Sequence, residues 1–101
     1  MYKGHGIEMA NHRALKSVRP ADVACDLPMG SVVKIENCGQ GEFAWVYALV
    51  NKGVEVYATD NDEELLAVAV NTSCQPRNLH FVVAAGDIPK YDKCIDVKKI
   101  M

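Results

Sequence analysis

From Ser31 onward the chain alternates short apolar runs with glycine, proline and aspartate breaks, and the period of each run predicts its element. Val32, Val33 and Ile35 are β-branched and nearly continuous within residues 31–36, which predicts a strand covered on both faces. Cys38-Gly39-Gln40-Gly41 then breaks the run. Over 42–52 the apolar residues follow a helical repeat. Phe43, Val46, Leu49 and Val50 form its inward stripe, and Ala44 and Ala48 are small enough for the backbone to approach a sheet. Gly53 stands where a helix C-cap glycine is expected. Alternation returns over 54–59, with Val54, Val56 and Ala58 on one face of a second strand. Asp60, Asn61 and Asp62 offer side-chain caps, and Asp62-Glu63-Glu64 places negative charge in the first turn of a helix running to Ser73. Leu65, Leu66, Ala69 and Val70 are its inward residues. Gln75-Pro76-Arg77-Asn78 ends that helix, 79–84 is a third strand, 85–90 a loop and 93–100 a fourth strand.

Ahead of this core, Ile7, Ala10, Ala14, Leu15 and Val18 fall on one helical stripe over 7–18. Arg19-Pro20 ends that helix, because the residue before a proline avoids the helical region. Pro20 then opens a short second helix through Asp26, followed by a turn at Leu27-Pro28-Met29-Gly30. Alternating strands and helices imply a parallel sheet with right-handed crossovers. The expectation is one α/β domain over 1–101: a helical segment at 1–30 and a β-α-β-α-β-β core at 31–101. It is a partial three-layer fold with about four mostly parallel strands, in the order 3-2-1-4, and flanking helices. A ligand then belongs at the carboxyl ends of the first two strands.

Composition narrows the function classes. The 101 residues are 50% hydrophobic and 24% charged, with a formal net charge of −2. Such a balance fits a globular domain and argues against nucleic acid, which calls for a basic face. No run of about eighteen apolar residues exists to span a membrane, and residues 1–10 lack the apolar core of a signal peptide. A cytoplasmic location is expected. Cys25, Cys38, Cys74 and Cys94 contain no CxxC pair, so scattered reduced thiols are expected in place of disulfides or a zinc site.

The chemistry concentrates between Asn37 and Asp60. Gly39 and Gly41 allow backbone angles that a Cβ forbids and let a ligand approach the main chain. The following helix points its free N–H groups and positive dipole end at that approach. Asp60, nineteen residues beyond Gly41, sits where an acid accepts hydrogen bonds from ribose hydroxyls. Gly39-Gln40-Gly41-Glu42-Phe43-Ala44 has the G-x-G-x-x-A form of dinucleotide-binding domains. Asn37-Cys38-Gly39-Gln40-Gly41 resembles the glycine turn of class I S-adenosylmethionine-dependent methyltransferases. The run Pro76-Arg77-Asn78-Leu79-His80-Phe81-Val82, with Ile88-Pro89 and Tyr91-Asp92, is similar to the same family's third and fourth strands. This likeness covers about residues 27–97 and implies a Rossmann-like fold. It also implies S-adenosylmethionine as cofactor, with NAD behind it, and a chain that binds neither as the third expectation.

The chain departs from that pattern in several places. Asn37 replaces the first motif glycine, and Ile35 stands where an acid is expected. Glu36, one residue along, faces the other side of a strand. The acid expected after the third strand aligns near Ala84 or Ala85, with Asp87 displaced. The family's later strands have no counterpart after the fourth. The resemblance therefore implies cofactor-binding positions at Asn37, Gly39, Gly41, Asp60, Asn61 and Asp87, with no catalytic or metal-binding residue. The expected role is that of an accessory, catalytically inactive methyltransferase-like domain, excised from or attached to a larger bacterial enzyme. The alternatives are a working S-adenosylmethionine- or NAD-binding module and a non-catalytic dimerisation domain. Expected partners are the rest of a parent protein or a second copy, at the open edge of strand four.

A fainter likeness joins Asn37-Cys38-Gly39-Gln40-Gly41-Glu42-Phe43 and Ala58-Thr59-Asp60-Asn61-Asp62 to C-terminal extensions of bacterial 1-acyl-glycerol-3-phosphate acyltransferases. No His-x-x-x-x-Asp pair of those enzymes occurs at His5, His12 or His80.

Other conspicuous side chains have plain readings. Cys38, beside a helix N-terminus, is expected to be a small packing residue and not an activated thiol. His5 and His12 read as surface histidines, and His80 as a half-buried or edge residue. Trp45 and Tyr47 lie off the inward stripe, so an exposed aromatic pair competes with burial under the N-terminal helices.

Overall fold

A computed structural model describes residues 20–72 and 75–100. Within them lie strands β1 (Val32–Glu36), β2 (Glu55–Asp60), β3 (Leu79–Val83) and β4 (Lys93–Asp96), and helices α1 (Glu42–Val50), α2 (Glu63–Thr72) and α3 (Val97–Ile100). The four strands form one sheet in the order β3-β2-β1-β4, with every pair parallel. The predicted order and α/β class are thus those observed. The helix expected over 7–18, and His5 and His12 with it, lie outside the described residues, as does Cys74. No helix among the described residues is long and apolar enough to cross a membrane.

One face of the sheet builds the core. Ile35 is in register with Ala58 of β2 and Ile95 of β4, and Ala58 with Phe81 of β3. Val33, Ile35, Val56 and Ala58 are fully buried against Phe43, Ala44, Val46, Tyr47, Ala48 and Leu66. The other face is built differently. Its central row runs His80–Tyr57–Lys34–Cys94. There Lys34 pairs with Glu36 at 3.1 Å, His80 Nε2 lies 2.8 Å from Glu55 Oε1, and the His80 and Tyr57 rings stack at 4.6 Å. The first strand is therefore not apolar on both sides as expected. Its alternate residues, Lys34 and Glu36, form a charged and half-buried second face.

The helices correct further expectations. In α1 the buried arc is Phe43, Ala44, Val46, Tyr47 and Ala48, while Val50 is 55% exposed. Val50 is the last helical residue, so it projects beyond the core. Tyr47, expected off the stripe, is fully buried, and Trp45 is half-buried against the core. Gly53 is not the helix cap. Asn51 ends α1 instead: its N–H donates to Tyr47 O at 3.0 Å, and its side-chain amide donates to Tyr47 O at 2.9 Å and Val23 O at 2.7 Å. That amide ties α1 to the 3-10 turn Pro20–Val23, which is all that forms of the helix predicted to reach Asp26. In α2, Leu66 and Ala69 are buried but Val70 is 48% exposed.

The fourth strand is shorter than its apolar alternation suggested. Asp96 Oδ1 accepts the Lys98 N–H at 3.1 Å, an aspartate cap that turns the chain into α3.

Among the described residues the buried Tyr47 hydroxyl has no hydrogen-bond partner. Burial, with the weakly hydrogen-bonding Cys25 thiol as a neighbour, pushes its ionisation well above the ordinary tyrosine range. An unsatisfied buried hydroxyl costs on the order of 1 kcal/mol or more. Tyr47→Phe is therefore expected to leave stability unchanged or raise it by up to about 1 kcal/mol, as measured by urea unfolding. A clear loss of stability would show that the hydroxyl is satisfied.

Candidate functional site

The carboxyl ends of β1 and β2 open onto a cleft of about 830 Å³. Asn37, Gly39, Asp60 and Asn61 line it from the strand ends, Asp62, Glu63, Glu64 and Leu65 from the start of α2, and Lys98 from α3.

The chain turns sharply after β1 because Asn37 takes a left-handed conformation, φ 56°. Asparagine tolerates this region better than most side chains. Its amide is also anchored, Nδ2 donating to Asp96 Oδ1 at 2.8 Å. That hydrogen bond, followed by the Lys98 N–H, holds the Asp96 carboxyl below the usual carboxylate range. Asn37 thus holds a left-handed turn, and the bond joins the end of β1 to the end of β4. Gly39 follows at φ 59°, with open space where a Cβ would stand.

Asp60 joins the two lips of the cleft. Its Oδ1 accepts the Asp62 N–H at 2.8 Å and its Oδ2 accepts the Gly39 N–H at 2.9 Å. The Asp62 N–H is the main cause holding the Asp60 carboxyl below its ordinary range. The Gly39 N–H and Lys98 act in the same direction, and burial works against them. Asp62 in turn caps α2, its Oδ1 accepting the N–H groups of Glu64 at 3.0 Å and Leu65 at 3.2 Å.

Of the six positions expected at the site, Asn37, Gly39, Asp60 and Asn61 come together in the cleft. Gly41 and Asp87 do not line it. Gly41, φ 86°, starts α1 from beneath the cleft, and a Cβ there would meet the Phe81 ring at 2.8 Å and the Ala69 Cβ at 3.2 Å. Its place is explained by close packing. Asp87 is exposed in the loop after β3. Sequence reasoning missed Asp96 and Lys98, since both fell in what reads as a continuous strand. Asp62, Glu63 and Glu64 read from the sequence only as the cap and first-turn charge of a helix; they are exposed, and they also form one wall.

The remaining candidates have structural roles. Cys38 is buried, and burial, with the Asp60 charge adding to it, pushes its thiol up to about 12. Such a thiol is not poised as a nucleophile. His80 lies half-buried on the charged face, away from the residues that line the cleft. Ile35 is fully buried, and Glu36 points to the opposite face toward Lys34.

No protein-family model matches this chain, and no curated protein is similar to it in sequence. Solved structures are similar in fold. One is the complex between the Haloferax volcanii Trm112 methyltransferase activator and the putative methyltransferase, with TM-score 0.62 and 19% identity over 93% of this chain and 43% of that chain. This is a Rossmann-like methyltransferase fold. A second similar structure is magnesium protoporphyrin IX methyltransferase from Synechocystis PCC 6803 with bound SAH, with TM-score 0.51 and 24% identity over 89% of this chain and 41% of that one. YjhP from E. coli is similar over 94% of this chain and 37% of its own, with TM-score 0.51 and 17% identity. The chain thus spans about two fifths of the length of these structures. The comparisons lend no support to the likeness with acyltransferase extensions.

Proposed function

We propose that the cleft binds the nucleoside end of S-adenosylmethionine, and that the chain is the cofactor-holding part of a larger methyltransferase-like unit, without methyl-transfer activity of its own. The observation that carries this reading is the Asp60 carboxylate, held ionised at the tip of β2 and facing the Asn37–Gly39 turn. A carboxylate offers about four acceptor sites, and two are used by the Gly39 and Asp62 N–H groups. The others remain to accept a ribose diol. Gly39, with no side chain above it, lets the ligand reach the backbone. Asn61 extends the same wall.

The acceptor side of such a reaction is assigned to a parent polypeptide or partner. Methyl transfer depends on placing the acceptor against a sequestered sulfonium, and the chain matches only about two fifths of the similar structures. The charged, half-buried second face of the sheet supports the same reading, because all-parallel sheets are normally covered on both faces. A partner protein accompanies the Haloferax volcanii neighbour.

Isothermal calorimetry with S-adenosylmethionine is expected to give saturable heat. Asp60→Ala is expected to weaken binding at least about tenfold, the loss of one hydrogen bond to a charged group. Circular dichroism of the variant controls for folding. No heat at millimolar S-adenosylmethionine or S-adenosylhomocysteine would overturn the proposal.

A further inference from the structure

The charge and internal bonding of the cleft bear on which nucleoside it accepts. Four carboxylates line it, from Asp60, Asp62, Glu63 and Glu64, against one ammonium from Lys98. Some of the backbone N–H groups around the cleft are occupied from within the chain. The Gly39 N–H of the glycine turn donates to Asp60, and the Glu64 and Leu65 N–H groups at the start of α2 donate to Asp62. Free N–H groups at a helix start or glycine turn make an anion site. Gly39 and the start of α2 already hold carboxylates, whereas the start of α1 carries no side-chain cap.

Resting on the site reading above, we infer that the cleft selects its ligand by charge: it prefers the sulfonium S-adenosylmethionine to its neutral thioether product, and it excludes pyrophosphate-bearing dinucleotides. The two sulfur nucleosides share every group except the methyl and its positive charge, so their affinity ratio isolates that charge. Three excess negative charges at roughly 8 Å in a water-like medium favour the cation by about tenfold at low salt. The Debye length shrinks to about 3 Å at 1 M salt, where the preference fades. A dinucleotide brings a pyrophosphate against the same four carboxylates, with Lys98 the one ammonium lining the cleft.

The test is calorimetric titration of the full chain with S-adenosylmethionine, S-adenosylhomocysteine and NAD, at about 10 mM and about 1 M salt. The expected result is S-adenosylmethionine tighter than the thioether by about tenfold at low salt, a ratio near one at high salt, and no measurable NAD binding. Glu63→Gln combined with Glu64→Gln is expected to narrow the low-salt ratio several-fold. A low-salt ratio near one, a ratio indifferent to salt and to the double substitution, or NAD bound as tightly as S-adenosylmethionine overturns the inference. Binding of the neutral thioether reports on the site independently of the ratio: if it binds with no preference for the sulfonium, only the charge selection fails. If neither nucleoside binds, the site reading fails with it.

Discussion

Gly41→Ala is expected to destabilise the domain by about 3 kcal/mol, seen in urea as a midpoint lowered by about 2 M. Two costs combine. Gly41 has φ 86°, a left-handed conformation that costs a Cβ-bearing residue roughly 1–2 kcal/mol. The new methyl would also stand 2.8 Å from the Phe81 ring and 3.2 Å from Ala69, an overpacking that costs typically 1–3 kcal/mol. The ring must turn away, and that loosens the contact between α2 and β3. Gly39→Ala is the control. It has a similar φ of 59° but nothing within 4 Å, so it is expected to show the backbone cost alone. Equal losses at the two positions would mean that the Phe81 contact carries no weight.

Asn78→Ala is expected to cost about 2–4 kcal/mol. The residue is buried, and its amide Nδ2 lies 3.0 Å from Ala48 O, 3.0 Å from Asn51 O and 2.9 Å from Val54 O. Two amide hydrogens thus serve three carbonyls at the end of α1 and the turn into β2. The Asn78 carbonyl also accepts the Val56 N–H at 2.7 Å, which sets the start of the β2–β3 ladder. Alanine keeps that backbone bond but leaves the carbonyls unpaired where water has little access. Asn78→Asp should be worse, because a carboxylate presents only acceptors to them. Urea unfolding measures both variants; a loss within about 0.5 kcal/mol for alanine, the usual surface range, would show that water replaces the amide.

Much of this architecture was legible beforehand because its signals are local. β-Branched runs of five or six residues, a helical stripe at Phe43 and Val46, and aspartates before the second helix each act within a few positions. Their alternation then limits the sheet to few arrangements, since right-handed crossovers put successive parallel strands beside one another. The expected placement of Asn37, Gly39, Asp60 and Asn61 in one cleft followed from that topology.

Misread features depended on contacts between segments distant in sequence. Tyr47 read from the sequence as either exposed or buried, and contacts across the core make it fully buried. Gly53 looked like a cap, but Asn51 could reach both Tyr47 O and Val23 O and ended the helix earlier. Residues 93–100 read as one strand, because nothing local reveals that Asp96 caps the next turn and receives the amide of Asn37 from β1.

By itself, the sequence determined the order of strands and helices, the glycine turn and the acid at the tip of the second strand, because these follow from backbone propensity and hydrophobic period. Only the tertiary structure decided how those parts are used. It brought Lys98 and the α2 carboxylates to the cleft, closed the Gly39 N–H with Asp60, gave Gly41 to packing and left Asp87 outside. Charge and hydrogen bonding act through space over a few ångströms, and the chain brings residues to that range only when the sheet has formed.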